Sequence, residues 1–203
     1  MDRTAPYTFL VDTYATERIK TLSVWCHFGD EDLGFRPEPR ARTPLEQMVH
    51  QCVSEDTWMK QMLGLDAGFP ALPGREDRLG FVEHFARASA RRLELLGEQP
   101  AEWFAGETRF FDVPRSRAWV LTRRIAHSAH HRGQLTTCLR LLGRSLYSTY
   151  GPTADTGGLF QQGAPVIYRY ASVEALLAAE REGDFEPPAL PGPGAAPPTE
   201  RPG

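Results

Sequence analysis

His127 and His131 stand four residues apart in the run His127-Ser-Ala-His130-His131-Arg-Gly-Gln134. On a helix this spacing sends both imidazoles from one face, one turn above the other, as two ligands of a single metal ion require. The stripe continues through Leu135, Cys138 and Leu142, so the face is expected to point inward. Imidazoles on such a stripe need partners, because burying an unpaired polar group is costly. A metal ion meets that need, and so do other polar side chains in a helical core. Ser128 stands where a His-Glu-x-x-His protease carries its glutamate, so the helical general base of that class is missing. A third ligand must come from another segment, and His50 is the natural candidate.

The elements that must position these residues read as helices. Apolar residues recur at helical spacing over 7–28, with Thr8 or Asp12 as its cap. Thr43-Pro44-Leu45-Glu46 predicts a sharp helix start: Thr43 as N-cap, Pro44 at the first helical position, Glu46 favouring the first turn. This second helix runs to about 63 and carries His50 at the edge of its apolar face. Gly64, Gly68, Pro70, Pro73 and Gly74 mark a connection long enough to cross the bundle. A third helix covers 76–97, with His84 expected at the surface or between helices. Residues 98–114 hold Trp103, Phe104, Phe110 and Phe111, a cluster read as packing under a loop, with 107–114 extended. The histidine helix spans 115–143. Residues 144–170 are turn-rich and aromatic, suited to a rim or lid at one end. Ser172 caps a last short helix over 173–182. Gly133 within the histidine helix costs about 1 kcal/mol against alanine, and predicts close approach of another helix.

Four substantial helices and almost no strand alternation predict an all-α protein: a four-helix bundle with a crossover connection and a short C-terminal helix. One domain over 1–185 is expected, followed by a Pro/Gly-rich tail, 186–203, whose composition predicts disorder. Metal sites in bundles are built from inward side chains on facing helices. His50 on the second helix and His127 with His131 on the fourth fit that plan.

Composition narrows the function. The formal net charge is −3 and the arginine pairs sit among acidic residues, so the basic footprint of a nucleic-acid-binding protein is missing. No apolar stretch has membrane-spanning length, and no secretory signal opens the chain. Cys26, Cys52 and Cys138 are isolated and odd in number, which points to small buried residues in a reducing cytosol.

Several segments in order resemble the DinB/YfiT-like family: Glu17-Arg18-Ile-Lys-Thr-Leu, Asp30-Glu-Asp-Leu-Gly-Phe-Arg36-Pro37, Glu46-Gln-Met-Val-His50, His127-x-x-x-His131-Arg-Gly-Gln134 and Tyr150-Gly-Pro-Thr-Ala-Asp155. The resemblance covers about residues 7–158 and rests chiefly on the helix-two histidine and the His-x-x-x-His-Arg-Gly-Gln run. It implies a divalent metal held by His50, His127 and His131, and homodimers. Some similar proteins are transferases that use a low-molecular-weight bacterial thiol. His130 adjoins His131 and competes for its role. Neighbouring helical positions lie about 100° apart, so spacing selects His131 and leaves His130 as a pocket group.

Imidazole suits zinc and nickel alike. Three such ligands leave an open position, where a thiol's pKa would fall. The expectation is a metal-dependent transferase joining a small thiol to an electrophilic small-molecule substrate. The rival is a non-catalytic stress-response protein that binds metal or a small ligand. A cavity opening onto the metal favours the first, and a sealed metal favours the second. No catalytic general base is assignable. Glu46 is read as a first-turn stabiliser, Gln134 as a partner for a ligand or a neighbouring helix, and Cys138 as too far along the axis to be a fourth ligand.

Overall fold

The computed structural model describes residues 6–195 and 199. Its long helices are α1 (Thr8–Trp25), α2 (Pro44–Thr57) and α3 (Arg78–Gly97). A short α4 (Ala101–Ala105) leads into a hairpin of β1 (Glu107–Phe110) and β2 (Val113–Ser116). Then come α5 (Arg117–Leu141) and α6 (Val173–Glu182). The expected all-α four-helix bundle is formed by α1, α2, α3 and α5.

Local chemistry sets the helix starts. The Thr43 hydroxyl accepts from the Glu46 N–H (3.2 Å), and the Glu46 carboxylate accepts from the Thr43 N–H (2.8 Å). This reciprocal box satisfies two donors that a helix start leaves free. Asp77, Ser116 and Ser172 accept from the N–H groups of Gly80, Trp119 and Ala175 in the same way. Neither Thr8 nor Asp12 is the first cap: Tyr7 holds that position, in the left-handed region at φ 72°. The helix also stops at Trp25 rather than residue 28, and a 3-10 turn, Asp30–Asp32, follows.

α1 packs against α3 and α5, while α2 packs against α5 and more lightly against α3. α1 and α2 are therefore diagonal neighbours, and the 26–43 connection crosses the bundle. The 64–77 connection, expected to cross, instead joins the adjacent α2 and α3. The expected extended stretch at 107–114 is one arm and the turn of a hairpin. Its turn puts Phe111 at φ 52° and leaves that ring 65% exposed. The aromatic cluster does pack as expected: Phe110 meets Trp58 and Trp119 edge-on, with ring centroids 5.0 and 5.1 Å apart. Gly133 has nothing within 4 Å of where a Cβ would stand. Close helix approach therefore does not explain it.

α2 ends in a π turn, Trp58–Met62, where the Leu63 N–H reaches back to the Trp58 carbonyl (3.1 Å). Such single wide turns cluster at functional sites. At the other end of the bundle, the rim after α5 is tied down by Asp155, whose carboxylate accepts from Arg140 and from the Leu146 N–H. Within the tail segment, the Pro188 carbonyl accepts from the Tyr147 hydroxyl (2.7 Å) and the Gly192 N–H donates to the Asp155 carbonyl (3.0 Å). Residues 196–198 and 200–203 of that tail lie outside the described residues.

The core is two apolar clusters. One gathers Leu22, Trp25, Met48, Phe81, Phe85, Leu135 and Leu139; the other gathers Leu10, Tyr14, Met59, Leu63, Leu96, Val120 and Leu121. Between them each long helix contributes polar residues that are buried. Glu55 accepts from the Tyr14 hydroxyl (2.6 Å) and from Arg92 (3.4 Å), and its second oxygen lies 3.7 Å from the Arg124 guanidinium. Arg92 also donates to Asp56 (2.9 Å), and Arg124 to Ser54 and Ser128 (2.8 and 3.0 Å). Nearby, Arg132 pairs with Glu17 at 2.5 Å. Removing one member of a buried ionic network leaves its partners charged and unpaired, a loss of about 3–5 kcal/mol. Glu55→Gln is expected to lower unfolding stability by about that amount, measured by urea denaturation. A loss below about 1 kcal/mol, the scale of an exposed pair, would contradict this reading.

Candidate metal centre

His50 projects from α2, and His127 with His131 from α5, onto one point between the two helices. The His127 Nε2 lies 3.1 Å from the His131 Nε2 and 3.4 Å from the His50 Nε2. One ligand atom from each ring falls within 4.8 Å of the others. The helical spacing read from the sequence thus brings the α5 pair together, and the bundle supplies the third ring. His131 is buried, while His50 and His127 are half-buried. The cluster therefore stands at the edge of the polar belt rather than sealed inside it.

The orientation of His131 follows from a chain of amides. The Gln47 amide N–H donates to the Gln134 side-chain oxygen (2.7 Å), which leaves the Gln47 oxygen facing the His131 Nδ1 at 2.6 Å. That same Gln134 oxygen lies 3.1 Å from the His131 Nδ1. Both neighbours of Nδ1 are acceptors, so Nδ1 carries the proton and Nε2 keeps its lone pair. The Gln134 nitrogen in turn points at the Nε2 of the exposed His130 (3.0 Å). Bonds of this kind on the far nitrogen of a ligating histidine fix its tautomer and angle. His127 has no such bond: its Nδ1 is buried without a hydrogen-bond partner.

The electrostatics keep the rings neutral. Burial, followed by the charge of Arg124 and then the other rings, pushes His127 down to about 3. Burial and the charge of His50 push His131 down to about 4. His50 is lowered by burial, Arg42 and Arg124. Neutral imidazoles with inward lone pairs are the state a divalent cation requires of its ligands. The His127 Nε2 lies 3.1–3.4 Å from the other two nitrogens, and close ring nitrogens repel one another unless a proton or a cation sits between them. The donor set therefore fits a divalent ion, and the three-histidine cluster is compatible with a metal-binding site.

Other sequence readings fall into place around this centre. Glu46 caps α2 and pairs with Arg36 (2.8 Å), so it stabilises the first turn and does not orient His50. Gln134 bonds both a histidine and the neighbouring helix. His84 is buried on α3 with its ring at the Ala71 backbone, outside the cluster. Cys138 is buried and takes no part in the cluster. Two residues at the site carried no role in the sequence reading. Gln47 is three residues before His50, a spacing that puts the two on one face. Trp58 lies beside His127, with ring centroids 5.3 Å apart, and under Arg124 at 5.5 Å. Only the wide turn that follows α2 gives a reason for its placement.

The chain belongs to the DinB family, whose model matches residues 4–161. Among solved structures it is similar to a DinB-like protein from Bacillus cereus, with 21% identity over 70% of this chain and 95% of that one, and a TM-score of 0.60. The DinB-like protein YjoA of Bacillus subtilis shares 16% identity over 68% of this chain and 94% of that one, with a TM-score of 0.57. At such identities the two structures speak for the fold. No curated protein matches significantly.

The lowered histidine pKa values set a pH dependence. His127, His131 and the half-buried His27, the last pushed to about 4, bind protons more weakly folded than unfolded. Between the ordinary value near 6.5 and the folded values, the unfolded chain holds more protons, so stability rises with pH in that window. In chelator, the urea midpoint is expected to be flat above pH 7 and to fall steadily from pH 6.5 towards pH 4.5. A midpoint that holds constant or rises on acidification across that range would contradict the neutral-ring assignment.

Proposed function

We propose that this protein is a metal-dependent enzyme in which His50, His127 and His131 hold one divalent ion, zinc or nickel, and that it transfers a low-molecular-weight thiol to an electrophilic small molecule. The observation that carries the reading is the convergence of three imidazole nitrogens within 4.8 Å of one another, with the His127 Nε2 3.1–3.4 Å from the other two and the lone pair of His131 aimed inward by Gln47 and Gln134. A divalent ion with three imidazole ligands supplies a Lewis acid with a reachable coordination position, which lowers the pKa of a thiol or water. The chain's own contributions are distinct. Gln47 and Gln134 hold the Nδ1 proton of His131 in place. Trp58, with Phe110 stacked edge-on against it, makes an apolar wall beside His127 and keeps water from that side. Arg124 stays charged next to the cluster and favours an anionic nucleophile there.

The reading extends to a homodimer of the reducing cytoplasm with no nucleic-acid or membrane partner. Three free, buried cysteines fit a reducing compartment, and no described helix is long and apolar enough to cross a membrane. One observation favours the rival, non-catalytic metal- or ligand-binding role. A cavity of about 490 Å³ beside the cluster is walled by the amides of Gln47 and Gln134 rather than by the histidine rings.

Elemental analysis of untagged protein is expected to give about one zinc or nickel per chain. Alanine at His50, His127 or His131 should abolish that stoichiometry. Gln47→Leu should weaken affinity about 10–100-fold, the range for losing a group that orients a ligand. Metal-loaded protein should then accelerate conjugation of small thiols with a panel of electrophiles. Stoichiometric metal without thiol turnover would leave the non-catalytic reading standing, and wild-type metal content in all three alanine variants would remove both.

A further inference from the structure

The cavity beside the cluster has a composition that the metal chemistry does not use. Pro37, Arg40, Arg42, Gln47, Gln134 and Thr137 are among its walls, and its charged lining side chains are both arginines. Arg40 is largely exposed and already pairs with Glu38 (3.0 Å). Arg42 is exposed as well, but it forms no ion pair, hydrogen bond or ring stack among the described residues. It is close enough to the metal cluster for its charge to act on both His50 and His131. A guanidinium presents its N–H donors in a planar fork that matches a carboxylate or a phosphate. The neighbouring amides add to that capacity. The Gln134 nitrogen spends one N–H on His130, and the Gln47 nitrogen one on Gln134, which leaves each with a second N–H.

We propose that this cavity binds the carboxylate of a small-molecule substrate, with Arg42 as its anchor, so that the rest of the molecule reaches over Gln47 and Gln134 to the metal centre. The inference rests on the metal-enzyme reading and narrows its substrate to carboxylate-bearing thiols or electrophiles. A phosphate fits less well. Beyond a guanidinium, a phosphate gains most from the free N–H groups of a helix start. Here the start of α2 is closed by its own Thr43–Glu46 box, and the Glu46 carboxylate brings negative charge to that end. Sequence reasoning passed over Arg42 because it stands alone in a loop, one residue before the Thr43 cap, and matches no motif.

Saturation-transfer NMR on the full-length protein tests this, with succinate as the carboxylate probe, succinamide as its uncharged counterpart and inorganic phosphate as competitor. Metal-free protein should transfer saturation to succinate and at least five-fold less to succinamide. The succinate signal should be lost in Arg42→Gln, be largely kept in Arg42→Lys and survive equimolar phosphate. Equal signals from both probes, or an unchanged signal in Arg42→Gln, would overturn the anchor; displacement by equimolar phosphate would overturn the carboxylate preference. Loading wild type with cobalt should then broaden the succinate resonances, and His50→Ala treated with cobalt should not broaden them. Cobalt uptake without broadening would separate the cavity from the metal chemistry and overturn its role as a substrate subsite. Failure to take up cobalt at all would strike the metal reading, while the metal-free experiment still decides the cavity.

Discussion

A belt of buried charge divides this bundle, and the rest of the structure is arranged to keep that belt neutral. Glu55, Arg92 and Arg124 are at most 2% exposed. Burying any one of them alone would cost several kcal/mol. Each is offset by a partner on a different helix: Tyr14 of α1 and Arg92 of α3 meet Glu55 of α2, and Arg124 of α5 closes the set. Helix register is thereby constrained as well as packing, since sliding one helix by a turn would strand a charge in the core. The two apolar clusters pack on either side of the belt.

The histidine cluster sits where this belt reaches the surface between α2 and α5. Its position has chemical consequences. Arg124 serves both arrangements, since it neutralises Glu55 on one side and discourages protonation of His127 on the other. The ligands lie on long helices rather than loops, which holds them to a narrow geometry. The amide chain His130–Gln134–Gln47–His131 runs from solvent to the innermost ring, so a surface histidine is connected to the ligand that is most deeply set. His127 contrasts with this: no side chain fixes its Nδ1, and its angle is set by packing against Trp58.

The helices and the histidine pair were legible because local chemistry specifies them. Thr43-Pro44-Leu45-Glu46 encodes its capping box within four residues, and the four-residue step from His127 to His131 encodes a shared face. The family resemblance also gains a physical content. Glu17 and Arg132, far apart in sequence, form one buried pair; Arg18 ties α1 to Ser89 and the Ala86 carbonyl on α3; Asp155 holds the rim. What was not legible depends on contacts between segments. The diagonal path of residues 26–43 follows from which helices pack together, and no local signal distinguishes it from the Gly/Pro-rich 64–77 loop. The hairpin escaped because its turn, Phe111-Asp112, lacks the glycine that such a turn prefers. Gln47 and Trp58 looked like an ordinary polar and an ordinary core residue until α5 was laid beside them. The freedom of space around Gly133 has no account in the packing.

The central claim is that three imidazoles from two helices bind one ion through their Nε2 atoms. X-ray absorption at the zinc edge of the loaded protein tests it most directly. The account predicts about three nitrogen scatterers at roughly 2.0–2.1 Å, with the outer-shell pattern of imidazole and room for one water oxygen at a similar distance. A first shell containing sulfur at roughly 2.3 Å, or oxygen without imidazole scattering, would contradict it.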